Sequence, residues 1–438
     1  MSDVRSSAIL APAPRDHSQQ CWDSEVQLMD VEQLTALRLT RCRDMIDRAL
    51  TRPVPHFQRK LADAGIGSGN DLERLEQLQA VAMTTKDELR ASETAHPPVG
   101  DYRFFDLHDA ARLGTSGGTT GQPTHILWTQ HDIWVDNDTA ARTYWRRGLR
   151  PGAIVTQASP AYLYTGGLII QSSYEYFGCL CLWVPPPDTD EAAEAGIRMW
   201  QRIPPDVPFN MFSVGRFKEV AQKMGLDPEA DLGLTSGFTS SQGDADLPML
   251  SAGSECFTYL GSPCAEDNGA HLADDYTYVE AVDPETGQAV PDNEWGLMVV
   301  TTFGRDGCLL RYAVGDICRL DRQPCPCGET SIRGWWGGRL QDLLRVQGRR
   351  IPIQKIEGAL STIALINRPS VEFEVIRPTD EAALLQLRVE APADDADKAD
   401  AAVSAGLEKS FGIKSAVEIV EPGSLPRYAF KPVRVVDA

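Results

Sequence analysis

Gly152-Ala153-Ile154-Val155 and Cys179-Leu180-Cys181-Leu182-Trp183-Val184 are short apolar runs inside a stretch, Pro151 to Pro208, that otherwise carries polar segments such as Asp188 to Arg198. Apolar runs of strand length alternating with polar segments are the pattern of β-α units around a sheet, and a buried mixed sheet is the natural reading. Upstream, Leu34, Leu37, Leu39, Met45, Ile46 and Leu50 stand near helical spacing within Val31 to Leu50, and His56 to Ala64 predicts a second helix. Downstream, the turn-rich Asp283 to Asn293 leads into the β-branched run Leu297 to Phe303, a turn feeding a strand.

Beyond Gly338 the texture becomes a compact alternation. Strands are predicted over Leu343 to Val346, Val371 to Ile376, Leu384 to Val389 and Ala416 to Val420, with helices over Lys355 to Thr362 and Asp394 to Phe411. The sequence thus predicts an α/β protein in three parts. A mobile tail, 1–20, precedes a large domain of mixed β-sheets with packed helices, 21–338, and a small α+β domain follows at 339–438.

Sixty-two acidic residues against forty-two basic ones give a formal charge of −20, which repels a nucleic-acid backbone unless a basic stripe is segregated on one face. No such stripe is present in the sequence. Met1 to Gln20 lacks the apolar core of a secretion signal, and no run reaches membrane-spanning length, so a cytoplasmic location without a membrane partner is expected. Ten cysteines in such a chain point to reduced thiols or a metal site rather than a disulfide framework.

The strongest local signal is Gly114-Thr115-Ser116-Gly117-Gly118-Thr119-Thr120-Gly121-Gln122-Pro123-Thr124. Glycines allow backbone N–H groups to close around phosphate oxygens, while hydroxyls add donors and help to hold Mg²⁺. A solvated glycine-rich turn has the same composition, and no Gly-Lys-Ser/Thr ending marks a Walker loop. Two cysteine segments form a second constellation. Cys264 and His271 stand seven positions apart, and Cys325-Pro326-Cys327-Gly328 offers two thiols on a constrained turn. Brought together, three sulfurs and one imidazole make a closed tetrahedral site for structural Zn²⁺; left apart, they are four unrelated side chains. Cys179 and Cys181, in an apolar run, read as ordinary core.

The glycine loop resembles that of the adenylate-forming superfamily, and within it the phenylacetate-coenzyme A ligase branch. Further stretches carry the resemblance in order over nearly the whole chain after Gln20: Cys21-Trp22-Asp23-Ser24-Glu25, Met83-Thr84-Thr85-Lys86-Asp87-Glu88-Leu89, Tyr162-Leu163-Tyr164-Thr165-Gly166-Gly167-Leu168, Asp283-Pro284-Glu285-Thr286-Gly287 and Leu310-Arg311-Tyr312-Ala313-Val314-Gly315-Asp316. The resemblance implies ATP- and Mg²⁺-dependent formation of an acyl-adenylate, followed by transfer to coenzyme A. It implies phosphate and nucleotide binding by Thr115, Ser116, Gly117, Gly118, Thr119, Thr120, Gly121 and Tyr259, with Asp316 accepting both ribose hydroxyls. Gly338-Arg339 resembles the pair that closes the large domain, which places Arg339 at the nucleotide and a hinge at Gly338 to Asp342. Lys431, four residues after Arg427 in Pro426-Arg427-Tyr428-Ala429-Phe430-Lys431, falls on the family's catalytic lysine. An ammonium there stabilises charge as pyrophosphate leaves. Tyr162, Tyr164, Thr165, Gly166 and Gly167 fall on the acyl-binding loop, and aromatics beside glycines suit a flat, aromatic carboxylate. Some members of the branch carry Cys and His at the places of the four candidate zinc ligands.

The sequence also departs from the family. The loop lysine is Gln122, Tyr259-Leu260-Gly261-Ser262-Pro263 matches only part of the Tyr-Gly-x-x-Glu motif, and Gln341 replaces the hinge acid. Other acids and acceptors therefore stay open: an amine, a carrier-protein thiol, or nitrite activated for diazotisation of an arylamine. A nucleotide-binding relic without catalysis is the non-enzymatic alternative, and a homodimer is compatible with the sequence.

Overall fold

The structure, a computed structural model, describes residues 16–116, 124–160, 162–207, 214–234, 247–248, 251, 253–366, 370–380, 382–428 and 433–437. The chain divides into two compact units, each assembled from separated segments. The first comprises Met1–Gly152, Ala161–Cys179 and Pro248–Trp336; the second comprises Ala153–Pro160, Leu180–Leu247 and Gly337–Ala438. Among the described residues no helix is long and apolar enough to cross a membrane.

In the first unit the predicted amphipathic segment forms helix Val31–Thr51. Asp30 caps it by accepting from the Glu32 amide at 2.8 Å. Cys42, Met45, Ile46 and Ala49 recur at helical spacing on its buried face. Helix Pro55–Asp63 follows, where His56 to Ala64 was expected, and buries Phe57 and Leu61 in the same core. The main sheet runs in the order Gly261–Pro263, Ala270–Leu272, Arg333–Arg339, Tyr312–Asp321, Gly296–Thr302, Thr277–Val282. The last two are antiparallel, from Thr277 opposite Thr302 to Val282 opposite Leu297, and are buried along their whole length. Covered on both faces, such strands read as continuous apolar runs rather than as alternation. The turn before Gly296–Thr302 forms as its residues dictate: Asp283 Oδ1 accepts from the amides of Glu285 and Thr286, both at 2.9 Å.

Among its described residues the second unit shows two apolar cores. In one, strands Ile154–Gln157 and Leu180–Trp183 pair in parallel. Helix Asp190–Arg202 contributes Ala193, Ile197 and Trp200 to this core, and helix Val214–Lys223 contributes Phe217, Val220 and Ala221. The other core belongs to the C-terminal residues. A hairpin, Leu343–Val346 with Arg349–Pro352, precedes a sheet ordered Ser415–Val420, Leu385–Glu390, Phe373–Ile376, Val435–Val436. Helices Ile353–Ser361 and Ala396–Phe411 supply Ile356, Leu360, Val403 and Leu407 to that core. These elements follow the expected order, and the fold is mixed α/β.

Candidate functional site

The glycine loop grows out of a hairpin. Strands Arg112–Thr115 and His125–Trp128 are antiparallel, with Gly114 opposite Ile126 and Thr115 opposite His125. Just beyond them the Ser116 amide donates to the Thr124 carbonyl at 3.0 Å, and the Thr124 amide donates to Ser116 Oγ at 3.2 Å. The ends of the loop are therefore clamped together; Gly117, Gly118, Thr119, Thr120 and Gly121 lie outside the described residues. Gly114 has to be glycine. A Cβ there would stand 2.8 Å from both Thr165 Oγ1 and the Trp128 ring, inside van der Waals distance.

The same hairpin carries the expected acyl-binding loop. The Thr115 amide donates to the Leu163 carbonyl at 2.6 Å, and Thr165 Oγ1 donates to the Thr115 carbonyl at 3.0 Å. Thr115 and Tyr164 form an isolated parallel bridge, so two segments about fifty positions apart in sequence become neighbours. Thr165, Gly166 and Gly167 open helix Thr165–Phe177 and are buried. The Tyr164 ring folds over Gly166, where a Cβ would approach its hydroxyl to 2.6 Å. Burial, with Tyr259 nearby, raises the Tyr164 phenol above its ordinary pKa. Tyr162 is 92% exposed with φ 64°, and so stands on the surface rather than beside Tyr164.

Tyr259 lies in a buried aromatic group. Its hydroxyl accepts from Tyr144 at 3.1 Å, Tyr144 is hydrogen-bonded to Ser173 at 2.7 Å, and Tyr144 stacks on Tyr174 at 4.6 Å between ring centroids. Spacing gave no sign of Tyr144, Ser173 or Tyr174; only the packing of helices Gln130–Arg146 and Thr165–Phe177 brings them to Tyr259.

The motif ending at Asp316 separates into two tasks. Arg311 is buried in a bidentate pair with Glu280, 3.0 and 3.1 Å, and donates further to the carbonyls of Gln79, Val81 and Gly287. Thr84 zips to the same backbone, its amide donating to the Arg311 carbonyl and the Ala313 amide donating to its own carbonyl, each at 2.8 Å. This explains the Met83 to Leu89 signature, which carries the Thr85 cap of helix Lys86–Ala95. The register then shifts between Ala313 and Ile317, with Gly315 at φ 85°, and this bulge re-aims Asp316. Asp316 is buried, and its Oδ2 accepts from Trp336 Nε1 at 3.0 Å.

Arg339 ends strand Arg333–Arg339 and is exposed. Gly338 before it has φ 92° and faces Gln354 so closely that a Cβ would meet Oε1 at 1.9 Å. Lys431 lies outside the described residues.

The cysteine segments do come together. One ligand atom from each of Cys264, His271, Cys325 and Cys327 lies within 4.8 Å of all the others. Cys264 Sγ is 3.4 Å from Cys325 Sγ, and Cys327 Sγ is 3.1 Å from His271 Nε2. Tetrahedral zinc with sulfur and nitrogen ligands sets such atoms about 3.5 to 3.8 Å apart, so the donor set fits with small adjustments. The His271 Nδ1–H donates to the Ser331 carbonyl at 3.0 Å, leaving Nε2 as the ligand atom. Burial pushes the Cys327 thiol up to about 12 when no cation is there to hold the thiolate. Around the cluster, Gln20 Nε2 donates to the Cys327 carbonyl at 2.6 Å, and Glu329 accepts from Gln27 at 2.9 Å and pairs with Arg146. Glu266 is exposed on the cysteine turn, its amide donating to Cys264 Sγ.

No family model matches the sequence. The phenylacetate-coenzyme A ligase of Thermus thermophilus is 27% identical over 448 residues, covering 93% of this chain and 96% of that protein. Among solved structures, 2-hydroxyisobutyryl-CoA ligase in the post-adenylation state, in complex with R3-HIB-AMP, superposes with a TM-score of 0.83 at 23% identity, covering 98% of this chain and 94% of that one. The same ligase with 2-HIB-AMP and CoA in the thioesterification state gives 0.65 at 23% identity, covering 97% and 95%. Full-length likeness in sequence and fold thus coincides with the clamped ends of the glycine loop and with signature segments whose structural tasks are visible here: the chain is an adenylate-forming ligase that is phenylacetate-coenzyme A ligase-like.

Proposed function

We propose that this enzyme activates a carboxylic acid with ATP as its acyl-adenylate, releasing pyrophosphate, and then passes the acyl group to the thiol of coenzyme A. The observation that carries the reading is the bonding of Thr115 to Leu163 and Thr165, which fixes the stem of the phosphate loop beside the segment expected to hold the acid. Adenylation needs carboxylate and α-phosphate in contact, and two loops on one hairpin can meet that need without further rearrangement. Asp316 would accept the ribose hydroxyls in charge-assisted hydrogen bonds, and Arg339 and Lys431 would serve the phosphates. Mg²⁺ would be held partly by the loop hydroxyls, where it neutralises charge on the phosphates. Tyr164 beside Gly166 and Gly167, in the segment expected to hold the acid, favours a planar, aromatic acid. The small C-terminal part would turn on a hinge at Gly338 to Asp342 between half-reactions. Cys264, His271, Cys325 and Cys327 would hold one structural Zn²⁺, a closed site with no open position for water.

Gln122 in place of the loop lysine, and the absence of a matching Mg²⁺-binding glutamate, favour a second reading in which the adenylation is kept but the acid or acceptor differs, nitrite and an arylamine included. Pyrophosphate release with ATP, Mg²⁺ and a panel of carboxylic acids plus nitrite, with and without coenzyme A, separates the two. Release with an aryl acid and thioester formation support the first. Release with nitrite alone, or acyl transfer only to an amine, supports the second.

A further inference from the structure

The C-terminal residues contain a guanidinium-carboxylate constellation that the functional reading does not use. Glu390, at the end of strand Leu385–Glu390, is 7% exposed. Its two oxygens accept four hydrogen bonds: Arg427 Nη1 at 2.9 Å, Arg427 Nη2 at 2.8 Å, the Leu425 amide at 2.8 Å and the Gly423 amide at 2.9 Å. Burial by itself would raise the Glu390 carboxyl, but these donors reverse the effect and hold it below its ordinary pKa. Arg427 is thus fastened to the C-terminal sheet by a planar, bidentate fork.

The third nitrogen of that guanidinium points elsewhere. Arg427 Nε lies 3.3 Å from Glu219 Oε1, on helix Val214–Lys223, and the two side chains are 27% and 22% exposed. Helix Val214–Lys223 belongs to the core around Trp200 and Phe217, whereas Glu390 and Arg427 belong to the layer cored by Phe373 and Leu387. Where the two layers of this unit meet, a cleft of about 550 Å³ opens, lined by Glu219, Lys223, Ser370, Glu390, Pro422 and Arg427 among others. The Arg427–Glu219 pair that joins the two layers is partly exposed, and an ion pair of that kind parts at far lower cost than a shared apolar core. On the other flank, Arg434 donates to Glu372 at 2.9 Å and to the Val371 and Phe373 carbonyls at 3.3 Å, again within the C-terminal layer. Residues 428–433, which include Lys431, are therefore bounded by two arginines that are anchored in the same layer.

The geometry points to Arg427 and Glu219 as a breakable latch, with the Glu390 fork as its permanent half, that holds helix Val214–Lys223 against the C-terminal layer during adenylation and releases it for acyl transfer. Glu219 is then a positioning residue that acts through Arg427. The inference rests on the two-step reading proposed above, and it assigns to one ion pair the balance between the steps. Breaking a half-exposed pair shifts such a balance by about two- to fivefold.

The test uses the full-length Glu219→Gln variant, with Glu219→Asp as the conservative control. Pyrophosphate release should fall about two- to fivefold in Glu219→Gln, while transfer to coenzyme A from a supplied acyl-adenylate stays unchanged or rises. Glu219→Asp should recover most of the loss, and melting temperatures should differ by less than about 2 °C. Hydrogen exchange of the substrate-free protein gives a readout independent of activity. Helix Val214–Lys223 should exchange faster in Glu219→Gln, while the Gly423 and Leu425 amides, still bonded to Glu390, stay protected. Equal loss in both half-reactions would overturn the latch, as would unaltered exchange in the helix. A wild-type protein that releases no pyrophosphate with any acid tested would refute the functional reading instead, and the exchange comparison would then decide the latch alone.

Discussion

Asp316 does two things at once: it is the anion expected at the ribose, and its Oδ2 already accepts the Trp336 indole proton at 3.0 Å. Asp316→Ala should weaken ATP binding at least tenfold, because an ionised acceptor is worth roughly 1.5 to 3 kcal/mol to the donors it serves. Asp316→Asn, which keeps an acceptor for Trp336 but loses the charge, should fall between the two proteins by calorimetry. An affinity unchanged in both would remove Asp316 from the nucleotide site. Lys431 calls for a kinetic test. Lys431→Ala should slow adenylate formation a hundredfold or more while sparing transfer from a supplied acyl-adenylate, since the ammonium acts only while pyrophosphate departs. Equal losses in both steps would contradict that role. Arg311 shows the limit of reading a motif residue by residue: it stands in the same short segment as Asp316, yet its guanidinium is spent on Glu280 and three carbonyls. No spacing rule separates a buried structural arginine from one facing a ligand.

At the scale of elements, two closures invite measurement. The turn at residues 264–269 and the segment at residues 325–327 converge on His271, with Gln20 tied to Cys327 and Gln27 to Glu329 just beyond it. Purified without chelator, the protein should carry about one zinc per chain; Cys325→Ser and Cys327→Ser should lose it and melt at a lower temperature without losing the chemical step selectively. Less than about a tenth of an equivalent of any transition metal in an active preparation would end the zinc proposal. The Glu390 fork gives a pH signature. The folded-state pKa of Glu390 lies below its ordinary 4.5, so its contribution to stability is fully present above 4.5 and is lost as the pH falls through the folded value. Glu390→Gln should therefore unfold at lower urea than wild type at pH 7, and the gap between them should narrow as the pH drops below about 4.5. A gap independent of pH would show that packing, rather than charge, accounts for the loss.

For the whole molecule, Gly338 is the position to probe. Its φ of 92° strains any residue with a side chain, and a Cβ there would also require the Gln354 side chain to move. If the backbone from Gly338 to Asp342 is a hinge, limited proteolysis there should change when ATP and a substrate acid are added together. Identical cleavage patterns in the two conditions would argue against it. The division into units is informative about how such a hinge could be overlooked or overread. Residues 153–160 and 180–247 group with 337–438, so chain texture, which changes sharply near Gly338, does not by itself list the neighbours of the C-terminal residues. Texture is a local property, whereas compactness is set by contacts between segments far apart in the chain.

By itself the sequence determined whatever depends on neighbours along the chain. Helix Val31–Thr51, the turn at Asp283, strand Gly296–Thr302 and the order of the C-terminal elements follow from periodicity, capping and turn chemistry, which act over a few residues. The Gly- and Thr-rich composition of Gly114 to Thr124 was readable for the same reason, and the several signature segments pointed to the superfamily. Only the tertiary structure decided which of these residues meet. It joined Thr115 to Leu163 and Thr165, closed three scattered cysteines and a histidine within 4.8 Å, gave Arg311 to Glu280 rather than to a ligand, and surrounded Arg427 with Glu390 and Glu219. The physical reason is common to all four. Hydrogen bonds and ion pairs reach only about 3 Å, so the partner of a buried polar group is selected by the packing of whole elements, and one-dimensional spacing carries no record of that choice.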